Sequence, residues 1–227
     1  MKIDINIESG EATALVFDPA VGAAIVRSGG EVVLLPPGDA FDTLADIERR
    51  AAPRWVWWSR STARLLVENG IRPARCWDLA SVHRLLFGGW RASAATIWAT
   101  CKGLDLTQIP EVAPIDLFTV VDEFDEPDQP VREDGYLRPD WVEGAWAANT
   151  HRLQRWAELI AEVHGCQVSL LEGLADRPAA PATARSESAA ELLGVELEND
   201  GLPINIAEAE RIIADFVGPR PLDAAAA

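Results

Sequence analysis

RWVWWSRSTARLLVENGIRPARCWDLASVHRLLF, residues 54–87, sets the fold class. It opens with an apolar run, Arg54–Trp58, led in by Pro53 and too short for a helix, so it reads as a strand. Ser61 is an N-cap for a helix through Glu68, and Asn69-Gly70 closes it. Ala74–Trp77 forms a second short strand. Asp78 can cap a helix from Leu79 to Phe87, because its carboxylate can accept the free N–H groups of a first turn. Gly88-Gly89 ends that helix. Strand, helix, strand, helix in this span, after the strands upstream, predicts a mixed sheet with helices on its faces.

Upstream, the chain reads as strands. Lys2–Ile7 alternates Ile3, Ile5 and Ile7 with polar residues, the period of a half-buried strand. Thr13–Phe17, Gly22–Arg27 and Glu31–Leu35 follow, divided by Ser9-Gly10, Asp18-Pro19 and Ser28-Gly29-Gly30. Pro36-Pro37-Gly38 ends the meander, and a helix runs from about Phe41 to Ala51. Downstream, Ser93 opens a helix to about Lys102. Residues 105–138 lack periodicity and are rich in acid and proline, which predicts an extended loop. Pro139 begins a long helix, about Asp140 to His164, with Trp141, Ala145, Ala148, Leu153, Trp156 and Ile160 on one face. Residues 176–183 read as a Pro/Ala linker. A helix closing at Gly201 follows, then an apolar step at Leu202 and Ile204, then a second helix from near Ala207. The expectation is an α/β fold: a mixed sheet flanked by helices, followed by a helical segment.

The 227 residues suffice for a full core. No apolar run approaches about 18 residues, so no transmembrane helix is expected, and the polar N-terminus lacks the plan of a secretory signal. The three cysteines, Cys76, Cys101 and Cys166, are scattered and form no CxxC, which fits a cytoplasmic chain without a disulfide framework or zinc site. Nine tryptophans stand against one tyrosine, and most are assigned to packing.

A net charge of −16 argues against tight nucleic-acid binding by the chain alone. The charge is uneven, however. Arginines 54, 60, 64, 72, 75, 84 and 91 cluster in one stretch. Arg54, Arg60, Arg64, Arg72 and Arg75 are candidates for a weak phosphate-facing surface, with solvated helix faces as the alternative. His83, His151 and His164 read as packing or surface residues. The acidic run Asp122–Asp128 lacks the ligand spacing and central glycine of a calcium loop. There is no Gly-x-Ser-x-Gly, Walker loop or dinucleotide fingerprint.

Taken in order, three segments resemble family A DNA polymerases. Val56–Leu86, with Trp77-Asp78-Leu79 at a Phe-Asp-Thr-like step, is similar to the ribonuclease-H-like (DEDD-type) 3′–5′ exonuclease domain. Gly144–Leu159 is placed like that domain's third motif. Leu192–Ile204 is similar to the helix that precedes the thumb. Pro53-Arg54-Trp55-Val56-Trp57, Arg75-Cys76-Trp77-Asp78-Leu79-Ala80 and Phe216-Val217-Gly218-Pro219-Arg220-Pro221 resemble the N-terminal region of actinobacterial bifunctional 3′–5′ exonuclease/DNA polymerases. The resemblance implies an exonuclease-like domain over 1–175, a linker at 176–183 and the start of a polymerase region at 184–227.

The family's nuclease holds two cations with four carboxylates. The first motif, Asp-x-Glu, would place Asp18 correctly but puts Ala20 at the Glu position. On the other candidate strand it reads Asp4-Ile5-Asn6. The second motif falls on Trp58 and Thr62, and the third on Trp146 and Thr150. Asp18 is thus the one possible remnant, and Trp55–Val67 contains no acid in any register.

The resemblance therefore implies a catalytically silent scaffold with no metal or cofactor of its own. It would be monomeric and off the membrane. It would reach DNA only through the rest of a polymerase, whose own chemistry would use Mg2+, in replication or repair. Two alternatives stay open: a freestanding acidic interaction module with a basic partner, and an active exonuclease with unusual ligands.

Overall fold

The computed structural model describes residues 5–111 and 128–218. Lys2–Asp4, most of the acidic run at 122–128 and the tail from Pro219 lie outside the described residues. Five strands form one mixed sheet: β1 (Ala12–Asp18), β2 (Gly22–Val26), β3 (Val32–Leu35), β4 (Arg54–Trp57) and β5 (Arg75–Asp78). Their order is β3-β2-β1-β4-β5. The first three form an antiparallel meander, with Leu15 opposite Ile25 and Ile25 opposite Val33. β4 pairs parallel to β1, and β5 parallel to β4. Gly22 starts β2 at φ 117°, and a Cβ there would sit 2.1 Å from the Leu35 carbonyl oxygen, so only glycine lets β2 and β3 approach. The α/β class and the mixed sheet flanked by helices are as expected.

Both faces of the sheet are covered, and β1 shows why. Leu15 and Phe17 point to one core with α1 (Pro37–Ala51) and α2 (Arg60–Glu68). Ala14 and Val16 point to the other, with α3 (Leu79–Phe87), α4 (Ala94–Cys101) and α6 (Thr150–Glu172). This two-residue alternation assigns successive side chains to opposite layers. Trp55 and Trp57 are buried in the first core, and Val56, Trp141 and Trp156 in the second.

Several caps follow the sequence. Asp78 accepts from the Ser81 N–H at 2.8 Å and Ser93 from the Thr96 N–H at 3.2 Å. The cap of α2, in contrast, is Ser59 rather than Ser61.

Three expectations need correction. Among the described residues, 5–7 pair with no strand, although Ile5 and Ile7 are buried against the α1 side. Their alternation reports burial without a ladder. The single long helix from Asp140 is broken: α5 spans Pro139–Val142, a 3-10 turn spans Ala145–Ala148, and α6 begins at Thr150. Gly144 stands between α5 and the 3-10 turn at φ 124°, and the Asn149 side chain caps α6 by accepting the Arg152 N–H at 2.9 Å. Third, the linker expected at 176–183 contains the start of α7 (Ala180–Asp200). Pro181 falls in the first turn, where a missing N–H costs nothing.

Helix α7 is not a separate segment. Ala184 joins the core on one side of the sheet, and Leu192 and Val195 join the other. Ser188 is fully buried; its hydroxyl accepts the Asp78 backbone N–H at 3.0 Å, and its carbonyl accepts the Cys76 thiol at 3.2 Å. The helix therefore runs along the β5 edge and seals both layers. By comparison, α8 (Ile206–Val217) contributes no buried residue.

Candidate functional site

Beside β1, the starts of α2 and α4 meet α6 around a cavity of about 240 Å³. Leu15, Val16, Trp58, Thr62, Trp146, Trp156 and Ile160 are among the residues that line it. Hydroxyls of Ser59, Ser61, Thr62 and Ser93 lie at this boundary. Aromatic packing shapes it: the Trp58 and Trp156 rings lie 5.1 Å apart, and Trp156 lies 6.1 Å from Trp141. The Arg152 guanidinium sits 5.2 Å over the Trp141 ring. The Trp58 indole nitrogen is buried without a hydrogen-bond acceptor, a costly condition for a donor.

Trp58, Thr62 and Trp146, assigned from the sequence to lost nuclease positions, are thus brought together. Asp18 and Ala20 do not line the cavity. The Asp18 carboxylate is committed to its own turn, accepting the N–H of Ala20 at 2.8 Å and of Val21 at 3.1 Å. Thr150 is exposed at the first position of α6.

No carboxylate lines the cavity. Among the described residues, no group of three or more His, Cys, Asp or Glu side chains could hold a metal ion. A two-cation nuclease centre needs several oxygen ligands; indoles, aliphatic carbons and neutral hydroxyls do not fit one.

The arginine candidates are engaged within the fold. Arg60 and Arg64 both pair with Glu198, Arg72 pairs with Asp200 at 2.6 Å, and Arg84 pairs with Glu191 at 2.6 Å. All three acids belong to α7. Arg75 donates to the Ala52 carbonyl at 2.7 Å. Arg54 donates to the Cys76 carbonyl at 3.3 Å, and burial, with Arg185 nearby, holds its pKa below the ordinary value. Each of these guanidiniums already holds a carboxylate or carbonyl partner within the fold. The α7 acids escaped the sequence reading, although the seven-residue spacing of Glu191 and Glu198 places them on one helical face.

Other titratable groups serve the core. Burial, opposed by hydrogen bonds from Ser81 and Trp57, raises the Asp78 pKa to about 6. Burial pushes the Cys76 thiol up to about 12. Burial, helped by Arg54, pulls His164 down to about 4, with its ring edge-on to Trp77 at 5.0 Å. His83 is buried beside Phe87, with Nδ1 unpartnered.

No protein-family model, curated protein or solved structure matches this chain. Among the described residues, no helix is long and apolar enough to cross a membrane.

Proposed function

We propose that this chain is a non-catalytic exonuclease-like domain that scaffolds a family A DNA polymerase-like protein. Two features support a ribonuclease-H-like ancestry. The sheet has an antiparallel meander on one side of β1 and two parallel strands on the other. Positions assigned to two of the nuclease motifs, Trp58 with Thr62 and Trp146, share one cavity. The observation that carries the silent reading is that cavity's lining, which offers aromatic and aliphatic side chains where the family's chemistry requires carboxylates.

The test is a 3′-end release assay on single-stranded DNA with Mg2+ or Mn2+. The expected rate is that of buffer, unchanged by Asp18→Ala. Metal-dependent release abolished by that substitution would overturn the reading and favour an active enzyme with unusual ligands.

A second reading, a freestanding acidic module with a basic protein partner, is favoured by α8. Ile206 is 70% exposed and Phe216 86% exposed, an apolar surface in an acidic chain. The reading frame beyond Ala227 discriminates: polymerase motifs there support the scaffold, and a stop codon supports the module.

A further inference from the structure

Two cysteines far apart in the sequence meet in the fold. Cys101 is the last residue of α4, and Cys166 lies in the second half of α6. They stand 65 positions apart, yet the Cys166 thiol lies 3.7 Å from the Cys101 carbonyl oxygen and within hydrogen-bonding reach of the Cys101 thiol. Both residues are free and half-buried. Cys76, by contrast, is buried at the β5 edge, where its thiol has its own acceptor in the Ser188 carbonyl.

The surroundings hold the two helices together at this point. Lys102 pairs with Glu162, one turn before Cys166, and its ammonium lies 4.5 Å over the Trp98 ring. Ile97 of α4 and Val163 of α6 are buried in the same core. Burial, with the Cys166 thiol beside it, raises the Cys101 pKa. The thiolate is the reacting form, so the first attack on an oxidant falls to Cys166.

We propose that Cys101 and Cys166 are a reversible oxidation site, a dithiol that closes to a disulfide between α4 and α6 when a peroxide is present. The Cys166 thiolate attacks a peroxide oxygen. The O–O bond breaks, the sulfur becomes a sulfenic acid, and the departing hydroxide takes up a proton as water. Cys101 then attacks that sulfur and displaces its hydroxide, which takes the Cys101 proton as a second water. The two thiols together give up two electrons, and one hydrogen peroxide becomes two waters. In a reducing compartment the pair stays open until such an oxidant arrives. The closed bond ties residues 101–166 into a ring and staples the end of α4 to α6, which restricts the unfolded chain. It requires neither a nuclease ancestry nor a polymerase partner.

The test treats the reduced full chain, freed of reductant and kept dilute, with a small excess of hydrogen peroxide. The intact mass should fall by two hydrogens. Peptide mapping should join the Cys101 and Cys166 peptides and find Cys76 still a free thiol. The melting temperature should rise by about 5–15 °C, and dithiothreitol should reverse both changes. Cys101→Ser and Cys166→Ser should each remove the cross-link and the rise, whereas Cys76→Ala should keep them; melts of the reduced variants show that each is folded. The proposal is overturned if Cys101 and Cys166 of the folded wild-type chain stay free or advance to sulfinic acid unpaired. It is equally overturned by a cross-link to Cys76 or between chains, or by a closed chain that melts no higher than the reduced one.

Discussion

The carboxylate of Asp78 accepts the indole N–H of Trp57 at 3.1 Å, between residues that face each other across the parallel pair β4–β5. Both are buried, and the other carboxylate oxygen caps α3. One side chain thus ties two strands to the helix that follows.

This arrangement predicts a pH dependence of stability. The Asp78 pKa rises from its ordinary 3.8 to about 6 in the fold. Below about pH 4 the group is protonated whether the chain is folded or not. Between about 4 and 6 the native state keeps a proton that the unfolded chain has lost, so stability falls as pH rises. The displacement corresponds to about 3 kcal/mol, complete above pH 6. Urea unfolding from pH 4 to 7 should show this decline. Asp78→Asn should start about 1–3 kcal/mol lower, since its amide nitrogen cannot accept a second N–H. It should also lack the decline, so that the two curves converge toward neutral pH.

Gln167 on α6 accepts the Trp77 indole N–H at 2.9 Å and donates to the Leu79 carbonyl at 2.9 Å. Gln167→Leu keeps roughly the same shape and orphans both partners. A loss of about 2–4 kcal/mol is expected by chemical denaturation. Gln167→Glu should cost less at pH 5 than at pH 8, because only the protonated acid can donate to Leu79.

The α7 acids make the arginines' availability a property of the fold. In the triple variant Glu191→Gln, Glu198→Gln, Asp200→Asn, four guanidiniums lose their partners, and the net charge falls in magnitude from −16 to about −13. The wild-type chain should show no salt-dependent binding of a primer-template. The variant should bind at low ionic strength, with affinity falling steeply as salt rises. Fluorescence anisotropy across a salt series measures both.

Helices α7 and α8 should behave oppositely on truncation. Ending the chain after Gly201 removes α8, which buries nothing, and should leave the melting temperature within about 2 °C of the full chain. Ending it after Thr183 strips Leu192 and Val195 from one core and Ala184 from the other. Leu192→Ala alone should cost about 2–4 kcal/mol, and the shorter truncation should fail to fold cooperatively by calorimetry.

The sheet was legible where local chemistry and long-range packing agree. The turn residues that bound Thr13–Phe17, the Asp78 and Ser93 caps and the Asn69-Gly70 stop each carry their own physical reason. Reading failed where one residue type serves two structures. Pro178 and Pro181 look like linker prolines, yet Pro181 sits in the first turn of a helix. Ile5 and Ile7 alternate like a strand but pack without a ladder. The cavity itself was only half visible. Trp58, Thr62 and Trp146 were singled out, but their meeting with Val16 and Ile160 depends on how α6 crosses the sheet, and the break at Gly144 that aims it leaves only a single glycine as its signal.

The covering of β5 by α7 has a consequence for colloidal behaviour. β5 is a sheet edge, and a bare edge of unpaired backbone groups is a template for another chain's strand. Ser188 occupies the Asp78 N–H from the side, and the helix above it blocks approach. Lifting α7 would expose Arg75–Asp78, a four-residue strand with buried Cys76 and Trp77, as a sticky rim. The same helix that completes the core also covers this edge, and its loosening should show first as turbidity or thioflavin-positive assemblies.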